Sequence, residues 1–332
     1  MAEYGFLMNQ GEGKSINMTS GARAASFLGT KKDEYPNWQD WNNCYFTDYV
    51  SGTKMYVIPI ITGNGNNVPG LAYKVPAYVT HFNISGSKVT PNFAGDSSVK
   101  DMAIAAMQIY PAGNTGSYGL MLRDATDYSA ITNSGMAGVV TYSARVLING
   151  TWYLPANIPG RGNGVIFANF TNPNVSLAPT SDLTGVIATD FNGNSATVET
   201  YIIYVSSGFS LTIPQYGFAI YNALGQATFT SAHRPLLLRG EVTIPTPNGM
   251  QWLGAPAGVQ QMMVPVCSPG MNLVIRNTNN YFMYRTGITM NGNQCAVGNN
   301  QLLTNFTYTG GIYQGWRVTS TTLPILDATD YF

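Results

Sequence analysis

The apolar positions of this chain fall in short runs that match the period of β-strands rather than helices. MYVIPII (55–61), GVVTYSARVLI (138–148), VIFANF (165–170), ATVETYIIYVS (196–206), LLLRGEVTI (236–244) and LLTNFTY (302–308) are rich in β-branched and aromatic residues. Asn-Gly pairs punctuate them at Asn149-Gly150, Asn192-Gly193, Asn248-Gly249 and Asn291-Gly292. Asn-Gly accepts the positive φ angles of tight hairpin turns. The best helix candidate is VKDMAIAAMQIY (99–110), whose Ile and Tyr content also suits a strand. Frequent Pro and Gly leave no room for long helices elsewhere. The pattern predicts an all-β protein built from sandwich or jelly-roll domains.

The beginning of the chain returns in its interior. Tyr4-Gly5-Phe6 matches Tyr216-Gly217-Phe218, and a Gly stands nine residues after each Tyr, at Gly13 and Gly225. Arg23 and Arg234 follow, then Gly29 and Gly240. YVIPI (56–60) resembles MMVPV (262–266), with Pro59 opposite Pro265, and Gly86 and Gly292 each lie 27 residues after that Pro. DATDY occurs at 124–128 and again at 327–331. Landmarks in the same order at similar spacing predict a tandem duplication. The expected organisation is a first β domain at 1–130, a β-rich middle segment at 131–211 and a second copy at 212–332. The middle segment reads either as an inserted β domain or as a third, diverged unit with Pro155 in the place of Pro59.

Composition narrows the function classes. Of 332 residues, 16 are basic and 16 acidic, and charged residues make up 10% of the chain, against about 25% in an ordinary soluble protein. With no basic field to attract phosphates, nucleic-acid binding is not expected. A neutral polar surface rich in Gly and Tyr suits subunits that bury much area against neighbours, and zero net charge favours association. No apolar run reaches the roughly 18 residues of a membrane span, so membrane insertion is not expected. The N-terminal residues show no basic-then-apolar secretory pattern. Cys44, Cys267 and Cys295 have no CxxC spacing and read as small buried hydrophobes, although Cys267 and Cys295 could pair.

Little in the sequence supports catalysis. His81 and His233 are the only histidines, and neither has an acidic or Cys partner nearby in sequence. GEGKS (11–15) has Met8 where a phosphate-binding loop needs its first Gly, so it reads as a hairpin turn. Paired carboxylates are sparse. Asp124/Asp127 and Asp327/Asp330 have a D-x-x-D spacing that suits Asx-turns or helix caps better than a calcium shell. The sequence therefore predicts a non-enzymatic protein with no cofactor and no metal; a glycan-degrading enzyme is the weakest alternative.

The remaining signal is aromatic. YPNWQDWNNCYFTDY (35–49) gathers Tyr35, Trp38, Trp41, Tyr45 and Tyr49 among Asn and Asp. Two readings stand: a surface that stacks on sugars or anchors in a protein partner, or a set of side chains filling the core beneath a long loop. YFMYR (281–285), with the Asn residues before it, is a smaller version of the same pattern.

The segment YGFAIYNALGQATFTSAHRPL (216–236) resembles a recurring segment of small minor-tail, tail-tip and fibre proteins of tailed bacteriophages. The shared pattern is Tyr-Gly, a strand, a polar residue or two, Gly, a second strand, Ser and Arg; residues 4–23 match it more loosely. Physically it reads as a hairpin, with YGFAIYN and QATFTSA as strands and 223–225 as the turn. A hairpin alone is marginal, so it must pack on a sheet or a neighbouring subunit. The resemblance implies a structural component of a virion tail, made in the host cytoplasm without a signal peptide. Its expected partners are itself, as a homo-oligomer such as a trimer or ring, other tail proteins, and a host-surface receptor or glycan. The alternative is a dedicated receptor- or glycan-binding module using the loop 35–49.

Overall fold

The computed structural model describes residues 6–9, 15–18, 23–32, 41, 44–67, 74–95, 102–109, 119–123, 128–132, 137–222, 224–245, 250–277, 279–307 and 314–332. The chain is all-β, and three hairpins divide it. The first is β1 (Phe6–Asn9) with β2 (Ser15–Met18), followed by β3 (Arg23–Lys32), β4 (Lys54–Ile61), β5 (Gly63–Asn67), β6 (Lys74–Ser85), β7 (Lys88–Gly95) and β8 (Ala103–Ile109). The second is β9 (Gly119–Arg123) with β10 (Tyr128–Thr132). After it come β11 (Val139–Asn149), β12 (Thr151–Tyr153), β13 (Gly164–Asn169), β14 (Asn172–Pro179), β15 (Gly185–Asp190) and β16 (Thr197–Ser206). The third is β17 (Ala219–Tyr221) with β18 (Ala227–Thr230). It leads into β19 (Arg234–Pro235), β20 (Leu237–Leu238), β21 (Gly240–Ile244), β22 (Leu253–Gly254), β23 (Met262–Pro265) and β24 (Gly270–Asn277), and then β25 (Asn280–Met290), β26 (Gln294–Thr307), β27 (Gly315–Val318) and β28 (Thr321–Asp327).

One strand order occurs three times. The last long strand after each hairpin lies between two earlier ones: β8 between β3 and β4, β16 between β11 and β13, and β28 between β21 and β23. All these pairings are antiparallel. The strands between them form β5–β6–β7 and a larger sheet containing β14, β15, β24, β25 and β26, and β5 and β6 pack against β24. Hydrogen bonding joins the pieces: β13 pairs with β23, β19 with β11, and β20 with β3. One apolar core draws on all of them, including Phe27, Ile58, Phe167, Ile203, Val264 and Leu323. Burying these side chains is the main force holding the sheets together. A second core under β6 and β7 contains Val57, Val79, Val89 and Ile104.

The strand readings from sequence at 55–61, 138–148, 165–170 and 196–206 coincide with β4, β11, β13 and β16. Three differences have physical causes. Residues 103–109, inside the helix candidate, are strand β8; all seven are buried, because β8 is a central strand covered on both faces. The run 236–244 is two strands in two sheets, since β20 pairs with β3 and β21 with β28. The chain changes sheet around Gly240, whose φ of 154° disfavours a side chain. The two DATDY copies occupy different places: the first falls between β9 and β10 in sequence, with residues 124–127 outside the described residues, and the second begins at the last residue of β28.

Other landmarks lie in strands and turns. Pro59 and Pro265 lie in β4 and β23, and Gly86 and Gly292 both have φ of 59° at the turns β6–β7 and β25–β26. Asn149-Gly150 and Asn192-Gly193 also sit at tight turns, with φ of 68° and 84° at the glycines; Asn248-Gly249 lies outside the described residues. The GEGKS stretch up to residue 14 is likewise outside them, although β1 and β2 on either side pair as a hairpin would require. Cys44, Cys267 and Cys295 are buried free thiols.

Candidate functional site

The aromatic loop 35–49 divides into core and surface. Trp41 is 2% exposed and Phe46 1%, and with Cys44 they pack into the second core against Met55, Val79 and Met102. Backbone bonds from Phe46 N to Ser87 O (2.9 Å) and from Val89 N to Cys44 O (2.9 Å) pin the loop to the β6–β7 turn. The buried side chain of Gln108, one residue before the end of β8, holds the loop's far end. Its Oε1 accepts from Val50 N and Thr53 Oγ1 (both 2.9 Å), and its Nε2 donates to Asp48 O (3.1 Å).

The expectation that Trp41 meets a ligand is therefore corrected: its ring fills the core beneath the loop. Tyr45 is 44% exposed, with Lys88 Nζ 5.8 Å from its ring centroid. Tyr49 is half-buried and donates its hydroxyl to Thr53 O (3.3 Å). Tyr35 and Trp38 lie outside the described residues. The smaller group at 281–285 is also largely interior, with Tyr281, Met283 and Tyr284 buried.

The hairpin β17–β18 is the more exposed feature. Tyr216 is 86% exposed and Leu224 83%, with Ile213 and Tyr221 about half exposed. Its motif residues have geometric reasons. Gly217 has φ of 138°, and a Cβ there would meet Ser231 Oγ at 2.1 Å. That hydroxyl accepts from Phe218 N (3.0 Å), and Ser231 N donates to Phe218 O (2.9 Å). At the tip, Asn222 Oδ1 accepts from Leu224 N and Gln226 N, closing the turn that Gly225 completes at φ of 76°. Phe229 is fully buried against Phe218 and anchors the hairpin's base. An open groove lined by Phe209, Leu211, Ile213, Tyr221 and Gln226 separates the hairpin from the segment before it. His233 ties that segment down, its Nε2 accepting from Thr212 N (3.0 Å). Burial pushes the His233 pKa down, so the imidazole is held neutral.

Residues 6–308 match a family of unknown function, DUF6453. The chain belongs to that family. No curated protein and no solved structure matches it.

The carboxylates singled out near the C-terminal residues serve the fold of this DUF6453 member. Asp327 caps a 3-10 turn at Ala328–Asp330 by accepting from Thr329 N (3.0 Å), and also accepts from Gln260 N and Gln261 N. Asp330 forms a two-pronged ion pair with Arg239, Nε to Oδ2 being 2.8 Å. Arg234 Nη1 donates to Tyr331 O (2.6 Å), and Leu237 N donates to the Tyr331 hydroxyl (2.9 Å). Arg234, part of the recurring segment, is thus a tie between the third hairpin's exit and the residues after β28. Glu241 on β21 pairs with Lys54 on β4 and accepts from the Tyr56 hydroxyl (2.7 Å). Among the described residues no group of three or more His, Cys, Asp and Glu could hold a metal ion. Sequence reasoning missed Gln108 and Arg239, whose roles depend on partners distant in the chain.

Proposed function

We propose that this DUF6453 protein is a structural component of a phage tail, near the tip or fibre region, that works by assembly rather than by chemistry. The observation that carries the reading is the hairpin at 216–231. It has the sequence pattern that resembles tail proteins, and it presents Tyr216 and Leu224 to the outside. The low charge of the chain agrees with this role, because its surface offers few strongly hydrated groups to desolvate when subunits meet. Its partners are other tail proteins, and the protein resides in the virion.

The test is mass spectrometry of purified particles from the phage encoding the chain, together with gold-labelled antibody in electron micrographs. Label at the tail is the expected result. Absence from particles overturns the proposal.

A receptor- or glycan-binding role is the second reading, and the exposed Tyr45 ring beside Lys88 favours it. Tyr45→Ala is then expected to weaken adsorption to host cells with normal incorporation into particles. Unchanged adsorption rules this reading out.

A further inference from the structure

Three backbone bonds close a ring. Gly138 N donates to Ala25 O (2.8 Å), Ala25 N to Leu236 O (3.0 Å) and Leu236 N to Gly138 O (2.8 Å). Each residue comes from a different third of the chain, and each lies just after that third's hairpin. Ala25 is seven residues after the end of β2, Gly138 six after β10 and Leu236 six after β18. The sequence carries the same period. Ala25 stands 21 residues after Tyr4, Leu236 20 after Tyr216, and Gly138 20 after Tyr118, which opens a third Tyr-Gly pair, Tyr118-Gly119-Leu120. The three-strand order β3-β8-β4, β11-β16-β13 and β21-β28-β23 repeats around the same ring. A cyclic donor–acceptor triangle is the contact expected at the axis of a trimer, here formed within one chain.

We propose that the chain is a fused trimer of three repeats, and that its hairpin end docks as a single copy on the threefold-symmetric end of a homotrimeric protein. The partner's location in the tail rests on the function proposed above. A second copy of this chain is the poorer occupant, because the bonds a trimer would make at the axis are already made internally.

Area and charge point the same way. One hairpin offers only a few apolar side chains, Ile213, Tyr216, Tyr221 and Leu224, which is well short of the roughly 800 Å² per partner of a stable interface. A partner that engages all three repeats makes up the difference, and only a threefold one presents the same site to each. Residues 216–231 contain no charged residue, residues 4–18 contain one Glu and one Lys, and residues 119–132 contain one Arg and two Asp. Together the three carry a net charge of about −1, so the complementary face needs no strong charge of its own.

Two experiments test this with the full chain. Light scattering on the purified protein is expected to give a monomer, and a stable homotrimer overturns the fused-trimer reading. A reconstruction of purified particles, refined without imposed symmetry at the tail, is expected to show one copy on a threefold axis, its three hairpins touching three subunits of one trimer. If the protein is present but lies off any threefold axis, or meets the particle through a face other than its hairpins, the docking proposal fails while the tail assignment stands. Absence from particles removes both. Leu224→Asp at the exposed tip is expected to lower copies per particle several-fold with Tm unchanged; unchanged occupancy counts against the hairpin end as the docking surface.

Discussion

The amide of Gly138 donates to the carbonyl of Ala25 at 2.8 Å, joining the start of β11 to β3. The approach is close because Gly138 has no side chain. A Cβ there would lie 3.1 Å from Ala25 O and 3.1 Å from Leu236 Cδ2. Gly138→Ala is expected to destabilise the protein by about 1–2 kcal/mol and Gly138→Val by about 3 kcal/mol, through overpacking at the ring. Chemical denaturation measures both. Equal stability of the Val variant and wild type would show that the ring has slack.

Trp41 and Tyr45 are four residues apart in one loop, yet they should respond oppositely. Trp41→Ala removes a buried indole from the second core and is expected to cost about 3–5 kcal/mol. Tyr45→Ala, at an exposed position, is expected to change stability by no more than about 0.5 kcal/mol. Thermal melts of the two variants distinguish a loop that is part core from one that is wholly surface.

The division between these two residues marks how far the sequence could be read. Strand class was legible because apolar runs and Asn-Gly turns are local signals. Whether an aromatic faces inward depends on what covers it, and the β6–β7 turn that covers Trp41 is remote in sequence. The same limit explains β8: seven consecutive buried residues have no strand alternation to reveal them, since neighbours on both faces come from other parts of the fold. The third Tyr-Gly pair, Tyr118-Gly119, was hidden by a Leu in place of Phe and by DATDY, a repeated string that marks different positions in the topology. Of the candidate site, the hairpin shape at 216–231 was readable. Its exposure, and the ring beneath it, required the long-range pairings.

Arg239 and Asp330 form a largely buried ion pair, with side-chain exposures of 16% and 8%. Removing one partner leaves the other charge uncompensated. Arg239→Ala is therefore expected to cost about 3–5 kcal/mol. The double variant Arg239→Met with Asp330→Leu is expected to recover much of that loss, because neither charge then remains buried. A double-mutant cycle by urea denaturation gives the coupling. Additive losses would mean that the pair is held by its surroundings alone.

His233 gives the fold an acid-sensitive point. Its neutral Nε2 accepts the Thr212 amide, and burial lowers its pKa below the ordinary value near 6.5. A group that binds its proton more weakly when folded stabilises the protein above the unfolded pKa. That contribution is lost as pH falls through the folded pKa. Protonation turns Nε2 into a donor facing another donor, so the segment through Phe209 and Thr212 should detach from the hairpin's base first. Tm is expected to fall between pH 7 and pH 5 in the wild type. In His233→Gln the fall should be smaller, since an amide oxygen can accept at either pH. An identical decline in both proteins would assign the acid sensitivity to other groups; Glu241 is not among them, because pairing with Lys54 and Tyr56 outweighs burial and lowers its pKa, so its contribution is lost only below the ordinary carboxylate range.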